Sequence, residues 1–191
     1  LTEDGLESAV GVNYVGTWLL TNSLLPFMGY DTESRIINTT SITTFMGHEG
    51  THFLVPDPEH FHRFRVYPDS KLAVLMFTTE LARRLHGRTI TVNAVDPGVV
   101  NTGMLTMGRW FDPLTDLLFR PFVKSPARGA SSAIMLATTD RYAHVTGGLF
   151  RRGHPVKLPA ETRDVAAGRA LWEEILHFVQ EKLCGPWGET D

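Results

Sequence analysis

Two short stretches carry residue types that do chemistry. In "YPDSK", Tyr67 and Lys71 stand four positions apart, so a helix puts them on one face. An ammonium beside a phenol favours phenolate, which suits the tyrosine to acid/base work near neutrality. The spacing by itself is common, and in most proteins such a pair is a surface feature. In "HEGTH", His48 to His52, the letters match the H-E-x-x-H of zinc peptidases, which hold two imidazoles one helical turn apart. The surroundings argue against that chemistry. Gly47 and Gly50 are poor helix residues, and Val55 and Pro58 stand where the extended motif needs a glycine and a third histidine. His60 and His62 add nitrogens for adventitious binding, but no resident metal is expected.

The elements that must position Tyr67 and Lys71 follow from periodicity. Thr2 with Glu3 and Asp4 behind it reads as a helix N-cap, and Leu6, Val10, Asn13, Thr17, Leu20 and Leu24 share one face of a long helix ending near Pro26. Asn13 on that apolar stripe needs a hydrogen-bond partner or a function. "RIINTTS", Arg35 to Ser41, reads as a buried strand ending in hydroxyl residues. A long irregular stretch runs from Thr43 to Val66, and a helix then opens at Tyr67 with Pro68 in its first turn and Gly87 as its C-terminal cap. "TITVNAV", Thr89 to Val95, is a second buried strand, and it stops at the turn "DPG", where open α/β sheets place ligands. Residues 103–124 lack clean periodicity, which fits a lid or substrate loop and equally a surface excursion packed on its own domain. Ser125 and Pro126 open a helix to about Thr138, "TGGLF" from Thr146 is a third strand, and Thr162 to Leu183 forms a last amphipathic helix. Alternating strands and helices predict an α/β fold, a parallel sheet with helices on both faces.

Composition sets the outer limits. With 191 residues and 42% hydrophobic content the chain suffices for one domain with a substantial core. The 18 basic residues against 21 acidic ones, net −3, supply no basic field for nucleic acid or an anionic membrane. No apolar run is long enough to span a bilayer. The single cysteine, Cys184, has no internal disulfide partner, which fits a reducing, cytoplasmic setting. The chain opens on "LTEDGLESAV", already in mid-pattern, and is expected to be part of a longer polypeptide.

Taken in order, "GVNYVGTWLL", "RIINTTS", "YPDSKLA" and "TVNAVDPGVVNT" resemble the short-chain dehydrogenase/reductase family. That family has a helical asparagine in a "VN" pair, a serine closing a strand, a Y-x-x-x-K helix and a strand leading to a "PG" turn. The long loop before Tyr67, "ELARRL" after Lys71 and "LWEEI" near the C-terminus look most like its retinol-dehydrogenase-like branch. The resemblance implies a catalytic set of Asn13, Ser41, Tyr67 and Lys71, with Tyr67 exchanging a proton with the substrate oxygen and Ser41 hydrogen-bonding that oxygen. Thr40 is the alternative hydroxyl if the strand register differs. Lys71 and Tyr67 would also touch the cofactor, joined by Pro97, Gly98, Val100 and Thr102 facing the nicotinamide amide. Asn13 would hold a water linked to the lysine.

The same resemblance implies an NAD(P)-dependent interconversion of a carbonyl and an alcohol, with NADP preferred over NAD. A hydrophobic substrate is expected from Trp110, Phe111, Leu117, Leu118 and Phe119 in the lid. A homodimer is expected through the helices bearing Asn13 and Tyr67. The family opens with a strand, a glycine-rich turn and a helix that binds the pyrophosphate, and this sequence contains no such fingerprint. The chain is therefore expected to be a single partial domain, residues 1–191, forming the C-terminal part of a doubly wound, Rossmann-type sheet. The alternative is a non-catalytic fragment or oligomerisation partner without cofactor binding.

Overall fold

The computed structural model describes residues 1–29, 32–48, 54, 63–98 and 125–183. Four strands form one sheet in chain order: β1 (Ser34–Thr39), β2 (Ile90–Asp96), β3 (Leu149–Arg151) and β4 (His154–Val156). β1, β2 and β3 run parallel, because helical segments intervene and return the chain to the same end of the sheet. β4 is antiparallel to β3, joined through Arg152 and Gly153, both at positive φ as a tight two-residue hairpin turn requires. Sequence periodicity stopped at one strand from Thr146. The strand starts at Leu149 instead, after Gly147 at φ 77°, and doubles back as the short edge strand β4.

The first helix, α1, covers residues 8–24, built from Ser8–Val10, a π-helical stretch Gly11–Val15 and Gly16–Leu24. It does not begin at Thr2. Gly5 turns the chain at φ 81°, and Glu7 caps the helix, its carboxylate accepting from the amides of Ala9 and Val10 at 2.7 and 3.1 Å. The π stretch also moves the buried face. An uninterrupted α-helix would bury Asn13, Thr17, Leu20 and Leu24, whereas the residues that go in are Tyr14, Trp18 and Thr21, each one position later. One extra residue in the wide turn accounts for that offset. Leu20 and Leu24 are thus exposed, in a row with Val12 and with Phe27 just beyond the helix.

α2 (Arg63–Arg84) starts one turn earlier than expected and carries Pro68 inside it rather than in its first turn. Its described side chains from Leu72 to Ala82 are all buried. α3 (Pro126–Thr138) opens as predicted, with Ser125 accepting from the Arg128 amide. α4 (Val165–Leu183) starts three residues later than predicted, because Asp164 accepts from the amides of Ala166 and Ala167 and sets the first turn.

Helices cover both faces of the sheet. Ile36, Ile90 and Val92 pack toward α1, α2 and α4, while Ile37, Val95 and Phe150 pack toward α3. This is the expected α/β architecture of a doubly wound sheet. α4 lies on α2, where Trp172 stacks on Phe77 at 5.8 Å and meets Trp18 edge-on at 5.7 Å. Buried Glu80 holds Arg83 and Arg84 at 2.8 Å each, and Arg84 lies over the Trp172 ring at 4.3 Å. α4 thereby covers part of the α2 surface. Among the described helices none is long and apolar enough to cross a membrane.

Candidate active site

β1 ends at two neighbouring hydroxyls with different surroundings. Thr40 is buried: its amide donates to Val95 O at 2.8 Å, its hydroxyl donates to Lys71 O at 3.1 Å, and that hydroxyl lies 2.6 Å from Thr44 Oγ1. Ser41 is half-buried and extended, and among the described residues its Oγ accepts a single long bond, 3.3 Å, from the Thr43 amide as it caps the 3-10 turn Ile42–Met46. Thr40 is committed to joining β1 to α2, so Ser41 keeps hydrogen-bonding capacity for another molecule. His48 follows that 3-10 turn in non-helical backbone. His52, His60 and His62 lie outside the described residues.

α2 brings Tyr67 and Lys71 to the same end of the sheet. Lys71 Nζ donates to Thr39 O at 3.2 Å and lies 5.7 Å from the centre of the Tyr67 ring. Partial burial pushes the lysine below its ordinary pKa, since desolvation disfavours the ammonium. One Nζ proton is used by Thr39, which leaves two for other acceptors.

Asn13 sits in the π stretch of α1, a local geometry frequent at functional sites. Its Nδ2 donates to Ser70 Oγ at 3.0 Å, and Ser70 Oγ donates to Tyr67 O at 2.8 Å. The amide that periodicity placed on an apolar stripe is therefore satisfied by the helix bearing Tyr67. Asp69 has a parallel task, accepting the His48 amide at 3.0 Å and holding the segment after Ser41 against α2. Gly47 permits the approach, since a Cβ there would lie 2.8 Å from Leu72 Cβ and 2.9 Å from Pro68 O. Asp69 and Ser70 escaped the sequence reading, although two poor helix formers inside an apolar helix are a legible signal.

β2 delivers the third part. Asp96 is buried, and its Oδ1 accepts from the Gly98 amide at 2.7 Å, closing a turn in which Gly98 takes φ 73°. Pro97 and Gly98 thus lie at the carboxyl end of the sheet beside the β1 terminus. Val100, Thr102 and the lid at residues 103–124 lie outside the described residues.

The family model described as short chain dehydrogenase matches residues 1–109. The chain belongs to the short-chain dehydrogenase/reductase family. Human retinol dehydrogenase 13 is 40% identical over 184 residues, covering 93% of this chain and 55% of that protein. Human retinol dehydrogenase 14 is 35% identical, with coverages of 90% and 52%. These relatives place the chain in the retinol-dehydrogenase-like branch. It spans about half the length of the curated relatives it matches.

Among solved structures, an uncharacterised protein from Mycobacterium paratuberculosis superposes with a TM-score of 0.71 at 26% identity, covering 94% of this chain and 61% of that one. A protein from Beutenbergia cavernae, solved with NADP bound at low occupancy, gives 0.56 at 25% identity, with coverages of 75% and 53%.

A short-chain dehydrogenase/reductase implies a nicotinamide dinucleotide. The residues present fit one end of it. Lys71 offers spare donors beside Tyr67, and the Pro97–Gly98 turn ends the adjacent strand without a bulky side chain at Gly98. For the pyrophosphate the sequence offers no glycine-rich strand-to-helix turn.

Proposed function

We propose that this chain carries the catalytic half of an NAD(P)-dependent oxidoreductase that interconverts a carbonyl and an alcohol on a hydrophobic substrate. The observation that carries this reading is the convergence at one end of the sheet. Lys71 reaches the last carbonyl of β1, and Asn13 is tied through Ser70 to the backbone of Tyr67. In the reductive direction the Tyr67 hydroxyl gives its proton to the substrate oxygen, and Ser41 donates a hydrogen bond to the same oxygen. Lys71 holds the nicotinamide ribose, and Asn13 retains a water that links the lysine to solvent. Pro97 and Gly98 face the nicotinamide amide. When bound, the dinucleotide supplies or accepts the hydride.

Retinol is the substrate in the names of the curated relatives, so retinoids are the first class to assay here, with NADP preferred. The single cysteine supports a cytoplasmic setting. A homodimer is supported by the exposed apolar row on α1. The exposed apolar row also fits a second reading, an oligomerisation partner that binds no cofactor.

Titration with NADPH and NADH, followed by energy transfer from the four tryptophans, separates the two. Saturable binding supports the oxidoreductase, and a folded chain that binds neither supports the partner. In the binding form, Tyr67→Phe is expected to lower turnover of a retinoid roughly 10²- to 10⁴-fold with little change in dinucleotide affinity. Wild-type rates in that variant would remove Tyr67 from its role.

A further inference from the structure

Asp96 and Arg151 are direct partners across β2 and β3, and they form an ion pair, Arg151 Nε 2.6 Å from Asp96 Oδ2, in which the carboxylate is buried and the guanidinium partly exposed. They lie on the sheet face toward α2, where the preceding pair, Ala94 and Leu149, packs with Leu75. The other Asp96 oxygen accepts from the Gly98 amide. The Arg151 guanidinium lies 5.5 Å from the ring centre of Phe45, which stands in the 3-10 turn capped by Ser41. One carboxylate thus joins the turn after β2 to the segment after β1.

Stability is a poor explanation for this arrangement. A buried carboxylate repays its desolvation only with well-satisfied partners, and here the partner is a partly exposed arginine whose Nη2 atom is buried without a hydrogen bond. Apolar residues at both positions would fill the same space between parallel strands without that cost. What the pair supplies is position: two oxygens with fixed partners, one holding the turn and the other holding a guanidinium against Phe45.

We propose that Asp96 and Arg151 are positioning residues, a latch that fixes the Pro97–Gly98 turn against the Ser41 segment and so sets the gap between the cofactor-facing and substrate-facing walls. This rests on the oxidoreductase reading above, in which that turn faces the nicotinamide amide. Asp96→Asn keeps an acceptor for Gly98 and loses the ion pair, whereas Asp96→Ala loses both.

The test measures NADPH affinity, retinal KM and kcat for the wild-type chain and both variants, with Gly98 amide exchange followed by NMR. Asp96→Ala is expected to weaken NADPH about tenfold, the scale of one hydrogen bond to a charged group, and to expose the Gly98 amide. Its kcat at saturation should stay within about threefold of wild type. Asp96→Asn should keep NADPH affinity and Gly98 protection while raising the KM for retinal, as should Arg151→Met, because both release Phe45. Equal losses in KM and kcat across all variants would mean that the pair only supports folding, and the proposal would fall. Should Asp96→Ala not fold, Asp96→Asn and Arg151→Met decide: unchanged retinal KM in both overturns the latch. If the wild-type chain binds no dinucleotide, the oxidoreductase reading is what fails. The latch then stands or falls on Gly98 exchange, which must rise in Asp96→Ala or, where that variant does not fold, stay protected in Asp96→Asn.

Discussion

Lys71 is the residue at which charge, burial and position meet. Its pKa in the folded chain lies below the unfolded value of about 10.4. At neutral pH both states hold the proton, so the folded state bears the whole desolvation penalty. As pH rises through the lowered value the folded chain releases its proton first, and the penalty fades until the unfolded pKa is passed. Lys71→Met should therefore raise the thermal midpoint most near neutrality, with the gain shrinking toward about pH 10. Calorimetry on both proteins across that range checks the sign, and a gain that grew with pH would contradict it. Ser70 offers a second check. Ser70→Ala removes the link between Asn13 and Tyr67 O and should cost about 1 kcal/mol in denaturant unfolding. That link joins residues 57 positions apart, so no local pattern could announce it.

At the scale of elements, α1 makes the sharpest test. Trp18 is buried against Trp172, while Leu20, one π-shifted position off the stripe, is 63% exposed. Trp18→Ala is expected to cost about 3–5 kcal/mol and Leu20→Ala less than about 0.5 kcal/mol. The reverse order in urea melts would restore the uninterrupted helix and abolish the phase shift. Strand positions were more legible than helix phase. "RIINTT" buries every second residue and "TITVNAV" buries most of its residues, and a period of two tolerates no ambiguity once the sheet is parallel. A helix face depends on accumulated turn angle, so one wide turn moves every later residue.

For the molecule as a whole, the consequential feature is α4 lying on α2. It covers part of α2, while the α1 row of Val12, Leu20, Leu24 and Phe27 is among the exposed apolar residues. Phe27→Asp combined with Leu20→Asp should leave the unfolding midpoint nearly unchanged, because Phe27 is 82% exposed and Leu20 63%. The same double variant should lower the weight-average mass in sedimentation velocity at high concentration. Unaltered association would locate the self-contact elsewhere.

The amino-acid sequence alone determined the alternation of strands and helices, the spacing of Tyr67 and Lys71, the hydroxyls closing β1 and the turn closing β2. These depend on periods and residue types that a short window contains. Only the tertiary structure showed that Thr40, rather than Ser41, gives its hydroxyl to α2, because that depends on how the helix meets the end of β1. It alone paired Asp96 with Arg151 across neighbouring strands and set α4 over α2. Contacts between residues far apart in the chain depend on how whole elements pack, and a window of sequence holds only one side of each.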